Sequence, residues 1–304
     1  MAEQKKWYVV FKIILILIIL SFFASAFLSV LMPEDYEDAD GNVAIIPIFG
    51  VISTERGSAF GQEIADSTTI VSLIDKANRN ENIKAIIFEI NSPGGAPVAT
   101  EEIASAIEST DKMTVAWIRE IGTSAGYWIA SSTDTIVASR MSTTGSIGAI
   151  MSYLDFSGTL ERYNVTYQRL VAGQYKDIGS PLKPLTVDER QMLQQYVDRM
   201  HEYFIIAVAQ NRNMSVEKVR EIATGMVFLG EDAQNIGLVD VLGGKTEALR
   251  LIEDRLNITA VPVEYRREPT LGEIISGVFS RQSFYVGKGI GDSLLETRSN
   301  GITV

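Results

Sequence analysis

Hydrophobic residues crowd the first thirty positions of the chain, then settle into short apolar runs that alternate with stripes at helical spacing. Val9 to Met32 is interrupted by a single charge, Lys12. At 1.5 Å per residue, about 20 apolar residues cross a hydrocarbon core about 30 Å thick, so this run predicts one transmembrane helix. Lys5 and Lys6 precede it, and Glu34, Asp35, Glu37, Asp38 and Asp40 follow it. That asymmetry predicts a cytoplasmic amino terminus, a single pass through the cell membrane and an extracytoplasmic remainder. Ala24-Ser25-Ala26 offers the rival reading of a cleavable signal peptide. The apolar run continues to Met32, however, longer than the core of a typical signal peptide.

Beyond the anchor at 1–32 and an acidic linker at 33–42, the pattern changes to that of an ordinary domain. Apolar runs predict strands at 43–49, 84–90, 113–118, 135–138, 146–151 and 166–171. Helical spacing predicts helices at 67–80, 98–107, 124–132 and 155–162, with Ser92-Pro-Gly-Gly95 as a turn. Strands alternating with helices imply an α/β fold with mainly parallel pairing. From Thr186 the texture becomes helical. A long helix over 187–209 is opened by Thr186 and Glu189 as a capping box, and shorter helices follow at 216–223, 231–235 and 245–256, with a strand at 238–242. The globular domain is therefore expected over 43–262. Residues 263–304, weakly patterned and rich in Gly and Ser, are expected to form a mobile tail.

Composition narrows the chemistry. The chain of 304 residues has no cysteine and one histidine, which excludes disulfides, thiol catalysis, zinc-thiolate sites and any two-histidine metal centre. Without the net +2 of its first twelve residues, the formal charge falls from −11 to −13. So acidic a domain is a poor nucleic-acid binder. No cofactor motif is legible: Gly243-Gly-Lys-Thr246 resembles the end of a phosphate-binding loop, but Val239 stands where its first glycine is required. Ser109-Thr-Asp-Lys112 has the spacing of penicillin-recognising enzymes without their other motifs.

Two segments can carry chemistry. Asn91-Ser-Pro-Gly-Gly95 lies between a strand and a helix, where it can be a plain turn or can present backbone amides to a developing oxyanion. Gly122-Thr-Ser-Ala-Gly126 also lies at a helix start, and there Ser124, taken by itself, reads first as an N-cap and alternatively as a nucleophile beside the Ala125 amide. A nucleophilic serine needs a base. His201, mid-helix among charges, reads as a surface residue. A lysine can serve only when burial makes it neutral. Lys176, in Gly173-Gln-Tyr-Lys-Asp177, is readable as such a base or as a loop lysine paired with Asp177.

Taken in order, Asn91-Ser-Pro-Gly-Gly95, Thr123-Ser-Ala-Gly-Tyr127, Thr144-Gly-Ser-Ile-Gly148 and Gly173-Gln-Tyr-Lys-Asp177, with the amino-terminal anchor, resemble the short form of the signal peptide peptidase A family, also called protease IV. The resemblance covers about Val43 to Leu256. It implies a Clp-protease/crotonase-like spiral of ββα units with a helical extension, and a serine endopeptidase whose nucleophile is Ser124 and whose base is Lys176, 52 residues later. It further implies that Ser146 orients the lysine, that backbone amides of Gly94, Gly95 and Ala125 surround the oxyanion, and that no cofactor is needed. Expected partners are peptide substrates (signal peptides or other hydrophobic segments), the membrane, and further copies of the chain, with delivery of the lysine within or between subunits left open. A related group of stomatin-cleaving membrane peptidases, with a shorter Ser-to-Lys spacing, and crotonase-like acyl-CoA enzymes are the alternatives.

Overall fold

The computed structural model describes residues 7, 11–22, 41–55, 58–59 and 62–267. Residues 11–22 form helix α1, in a unit separate from the rest. Its large apolar side chains, from Phe11 to Leu20, are exposed. No helix among the described residues is long and apolar enough to cross a membrane. The remainder of the expected anchor segment, residues 1–6, 8–10 and 23–32, the expected linker up to residue 40 and the tail from 268 onward lie outside the described residues.

The second unit is built on strands β1 (Val43–Ser53), β2 (Ser58–Ala59), β3 (Gln62–Asp66), β4 (Ala85–Gly95), β5 (Met113–Thr123), β6 (Thr135–Ala138) and β7 (Thr143–Gly145). Helices α2 (Ser67–Arg79), α3 (Pro97–Glu108) and α4 (Ala125–Ser131) alternate with them. Across the sheet the order is β2-β3-β1-β4-β5-β6, and the neighbours from β3 to β6 are parallel. The expected α/β class with a mainly parallel sheet is thus what the chain adopts. Then come α5 (Ser157–Arg162), α6 (Val187–Asn211), α7 (Val216–Ile222), β8 (Val227–Leu229), α8 (Gly230–Asn235), β9 (Val241–Leu242), α9 (Lys245–Leu256) and β10 (Pro262–Glu264). β9 extends the sheet beside β6, β10 lies parallel to β1, and β8 runs antiparallel to β7.

The strands read as unbroken apolar runs because both faces are covered. Ala44, Ile46 and Ile48 of β1, Ile86, Phe88 and Ile90 of β4, and Ala116 and Ile118 of β5 pack in one core with apolar residues of α2, α3, α4 and α6. The alternate residues, Val43, Ile45, Ala85, Ile87 and Val115, point the other way and meet Ala248 and Ile252 of α9. At about 25 cal/mol per Å² of buried apolar surface, this two-sided burial is the chief source of stability.

Several elements depart from the sequence reading. β4 and β5 do not stop at Ile90 and Ile118 but run on to Gly95 and Thr123. The expected turn at 92–95 is extended chain, because a bulge lets the strand accommodate Pro93. Residues 146–151 form no strand; the neighbouring strand is β7, three residues that end at Gly145, before Ser146 turns to φ 53°. Residues 166–171 join no ladder among the described residues and form no strand. They belong to a polar-and-apolar arm, 149–186, in which Ile150 and Leu170 are 89% and 98% exposed. The strand expected at 238–242 is reduced to Val241–Leu242.

Charge pairs tie down the foot of this arm. Asp177 accepts from Arg169 at 2.6 and 2.9 Å, and Glu189 accepts from Lys183 at 2.6 Å. Glu189 also completes the expected capping box with Thr186, at the start of α6. Hydrogen bonding to Arg169 holds the Asp177 carboxyl below the usual carboxylate range, and hydrogen bonding to Lys183 does the same for Glu189. A carboxyl depressed by folding contributes stability above its unfolded pKa and loses it as pH falls through the folded value. Glu189→Gln keeps the capping geometry but removes the charge. It is expected to lower the melting temperature at pH 7 by on the order of 2 °C, and the gap from the wild-type chain should close below the carboxylate range; thermal melts at pH 7 and pH 3 measure both.

Candidate active site

The site lies where β4 and β5 outrun the core, beyond the carboxyl ends of the parallel strands. β5 ends at Thr123 and α4 begins at Ala125, leaving Ser124 at the sharp turn between them. Its backbone has φ 53° and ψ −124°, away from the extended conformation of an ordinary N-cap. A non-glycine residue held there costs about 1–3 kcal/mol, which the surrounding bonds must offset. The Ser124 N–H donates to the Gly145 carbonyl at 2.9 Å, and its own carbonyl accepts from Tyr127 and Trp128 at 2.9 and 3.0 Å. The side chain makes no capping bond. Ser124 therefore occupies the N-cap position while its hydroxyl is not spent on the helix.

Gly94 stands directly beside that hydroxyl. A Cβ on Gly94 would lie 2.8 Å from the Ser124 Cβ and 3.1 Å from both Ser124 Oγ and the Ala125 nitrogen. With φ at 111°, the position is also in a region that favours glycine. The Gly94 N–H donates to Ser92 Oγ at 3.1 Å, so it is already engaged. Ala96 N–H donates to Ile52 of β1 at 2.8 Å. Successive amides of an extended strand point to opposite sides, so the Gly95 N–H faces the β5 side, where Ser124 stands. The Ala125 N–H belongs to the first turn of α4 and has no acceptor within the helix.

Ser146 follows Gly145, whose carbonyl holds the Ser124 amide, so one peptide unit separates it from the anchor of the turn. It repeats the backbone feature of Ser124, with φ 53° at the end of a neighbouring parallel strand. Its N–H donates to the Met226 carbonyl at 2.8 Å. Beyond it, Thr143, Met226, Phe228, Leu229 and Ile236 help line a largely apolar cavity of about 510 Å³.

Lys176 is the candidate that the described chain does not bring in. It lies in the turns of the arm, with its N–H on the Gly173 carbonyl at 3.1 Å and its side chain exposed. The pairing weighed above, Lys176 with Asp177, is absent, because Arg169 occupies that carboxylate. Among the described residues no hydrogen bond or ion pair joins Lys176 to Ser124 or Ser146. His201, on α6, differs from expectation in one respect: its Nε2 is buried without a hydrogen-bond partner. Lys112 is structural, its Nζ donating to the carbonyls of Ala77, Asn80 and Ile83 at 2.7, 2.5 and 2.8 Å.

Side chains that support the turn escaped the sequence reading. Thr123 Oγ1 donates to the Pro93 carbonyl at 3.1 Å, Thr144 Oγ1 to the Gly122 carbonyl at 2.8 Å, and Asn91 Oδ1 accepts from Ile121 N–H at 3.2 Å. No periodicity marks them; only their places within three of the four motifs do.

Comparison with known proteins gives the chain a family. A protein named as a protease in Methanocaldococcus jannaschii is 30% identical over 96% of both chains. A signal peptide peptidase SppA of Enterococcus faecium is 31% identical over 78% of this chain and 71% of its own. Protease 4 of Haemophilus influenzae is 29% identical over 73% of this chain but only 36% of its own. Among solved structures, a membrane-bound stomatin-specific protease with a bound substrate peptide is similar over 80% of this chain, at 18% identity and a TM-score of 0.49. The model of peptidase family S49 matches residues 106–259, a span that includes the Ser124 turn, Ser146 and Lys176. The chain belongs to peptidase family S49 and is a serine peptidase.

Proposed function

We propose that this serine peptidase is a membrane-anchored endopeptidase in which Ser124 is the nucleophile, Lys176 the general base, and the amides of Gly95 and Ala125 the donors to the oxyanion. The observation that carries the reading is the Ser124 turn, with a strained backbone, an uncapped hydroxyl and the bare backbone of Gly94 in contact with it. Neutral Lys176 takes the proton from Ser124 Oγ as the oxygen attacks the peptide carbonyl. The lysine then protonates the leaving amine, and water repeats the sequence on the acyl-enzyme. Ser146, next to the turn, orients the amine.

A lysine acts as a base only where water is excluded. Lys176 is exposed in the single chain, on an arm that also exposes Leu154, Tyr163 and Leu170. Exposed apolar side chains on a coreless arm favour a surface that another chain covers. The active form is accordingly a homo-oligomer in which the arm of one copy carries Lys176 to the Ser124 of its neighbour. Released signal peptides and other hydrophobic segments suit the apolar cavity beyond Ser146. An amino-terminal anchor, with the catalytic domain on the extracytoplasmic face of the cell membrane, places the enzyme where such peptides collect.

Ser124→Ala and Lys176→Ala are each expected to lower kcat by about 10⁴-fold or more while leaving the melting temperature near that of the parent chain. Turnover by purified Lys176→Ala at neutral pH removes the lysine from the mechanism. Mixing the two inactive variants under conditions of subunit exchange is expected to restore part of the activity, since mixed oligomers contain intact pairs; no recovery despite demonstrated exchange places both residues in one chain. A fluorophosphonate is expected to label Ser124, which an acyl-CoA enzyme of the crotonase type does not predict.

A further inference from the structure

The hydroxyl of Ser92 occupies a position that the reaction, as read above, gives a task. At the end of the β1–β4 ladder Phe49 faces Asn91 but Val51 faces Gly94, so Gly50 alone stands opposite both Ser92 and Pro93. This is a bulge, and it breaks the ladder twice. Pro93 has no N–H to give to β1, and the added residue changes the direction of the amides that follow. Ser92 Oγ fills the break from inside. It donates to the Gly50 carbonyl at 2.6 Å and accepts from the Gly94 N–H at 3.1 Å, and the Ser92 residue is fully buried.

The consequence falls on the next amide. Gly94 is held toward β1 through Ser92 Oγ, and Ala96 is held toward β1 through the Ile52 carbonyl. Between two amides fixed on one side, the Gly95 N–H must point to the other, the side of Ser124. Neither glycine has a side chain to stop the intervening peptide from rotating. Thr123 Oγ1 holds the Pro93 carbonyl from the β5 side, and Ser92 Oγ holds the Gly94 N–H of the same peptide unit from the β1 side, so the Ser92 hydroxyl is the side-chain group on the β1 side that orients the unit before the Gly94–Gly95 peptide. We propose that Ser92 is a positioning residue, whose hydroxyl aims the Gly95 amide at the oxyanion by occupying the amide before it. This inference rests on the reading of Ser124 as nucleophile and Gly95 as oxyanion donor.

The test compares Ser92→Ala with the parent enzyme in its full oligomeric chain, counting active sites by fluorophosphonate titration so that unfolded molecules do not enter the rate. The expected result is a loss of about 10- to 100-fold in kcat per titrated site, with KM within about twofold. A peptide boronate, whose tetrahedral adduct presents an oxyanion, is expected to bind more weakly by the same factor, while a product-like peptide binds unchanged. Ser92→Cys, which keeps the shape and a weak donor, is expected to fall between the two and carries the test if the alanine variant folds poorly. Unchanged kcat per titrated site, or a loss confined to KM, overturns the proposal. Absence of labelling at Ser124 in the parent chain overturns the nucleophile reading instead, so the two failures are distinguishable.

Discussion

The structure depends on one constraint: β1, β4 and β5 are parallel strands buried on both faces. Parallel neighbours cannot be joined by tight turns, so each must be followed by a crossover element, and α2, α3 and α4 supply these. All carboxyl ends then fall on one edge of the sheet. Two polar extensions, Asn91–Gly95 and Arg119–Thr123, meet there although 28 positions separate Gly94 from Gly122 in the chain. The apolar interior fixes the strands, and the site is built from what protrudes beyond it.

At that edge the ladder is irregular on both sides of β4. The register slips between Phe49 and Val51 against β1, and between Ile90 and Ser92 against β5. Asn91 and Ser92 each place a side-chain oxygen where a regular ladder would place a main-chain partner. Pro93 contributes a carbonyl to Thr123, and the two glycines bring the main chain against Ser124 and Ile52. The five-residue segment thus joins three strands and the Ser124 turn, and each of its members has a different contact.

Much of this was legible in the sequence, and the failures have physical causes. Helix α2 and strand β6 stand where hydrophobic spacing put them, because both bury a continuous apolar surface against the sheet. Asn91-Ser-Pro-Gly-Gly95 misled because its composition is that of a turn, whereas extended chain with a bulge has the same need for Pro and Gly. Residues 166–171 misled for a different reason. Apolar residues there describe a surface seeking a cover, but a strand requires a neighbouring ladder, and the described residues provide none. For the site, the residue types and order of Ser124 and Gly94 could be read directly. The position of Lys176 relative to them could not, because hydrophobic spacing places only the elements that pack against a core, and the arm that carries Lys176 is exposed.

The close approach of Gly94 to Ser124 has an evolutionary corollary. Stabilising groups made of main-chain amides cannot be removed by exchanging a side chain, since every residue but proline carries the same N–H. Inheritable variation in this part of the enzyme must therefore act through crowding or loosening: a methyl group at Gly95 would come within 2.0 Å of the Ile52 carbonyl oxygen. Drift in rate would come from the residues that hold the strands rather than from the groups that meet the substrate.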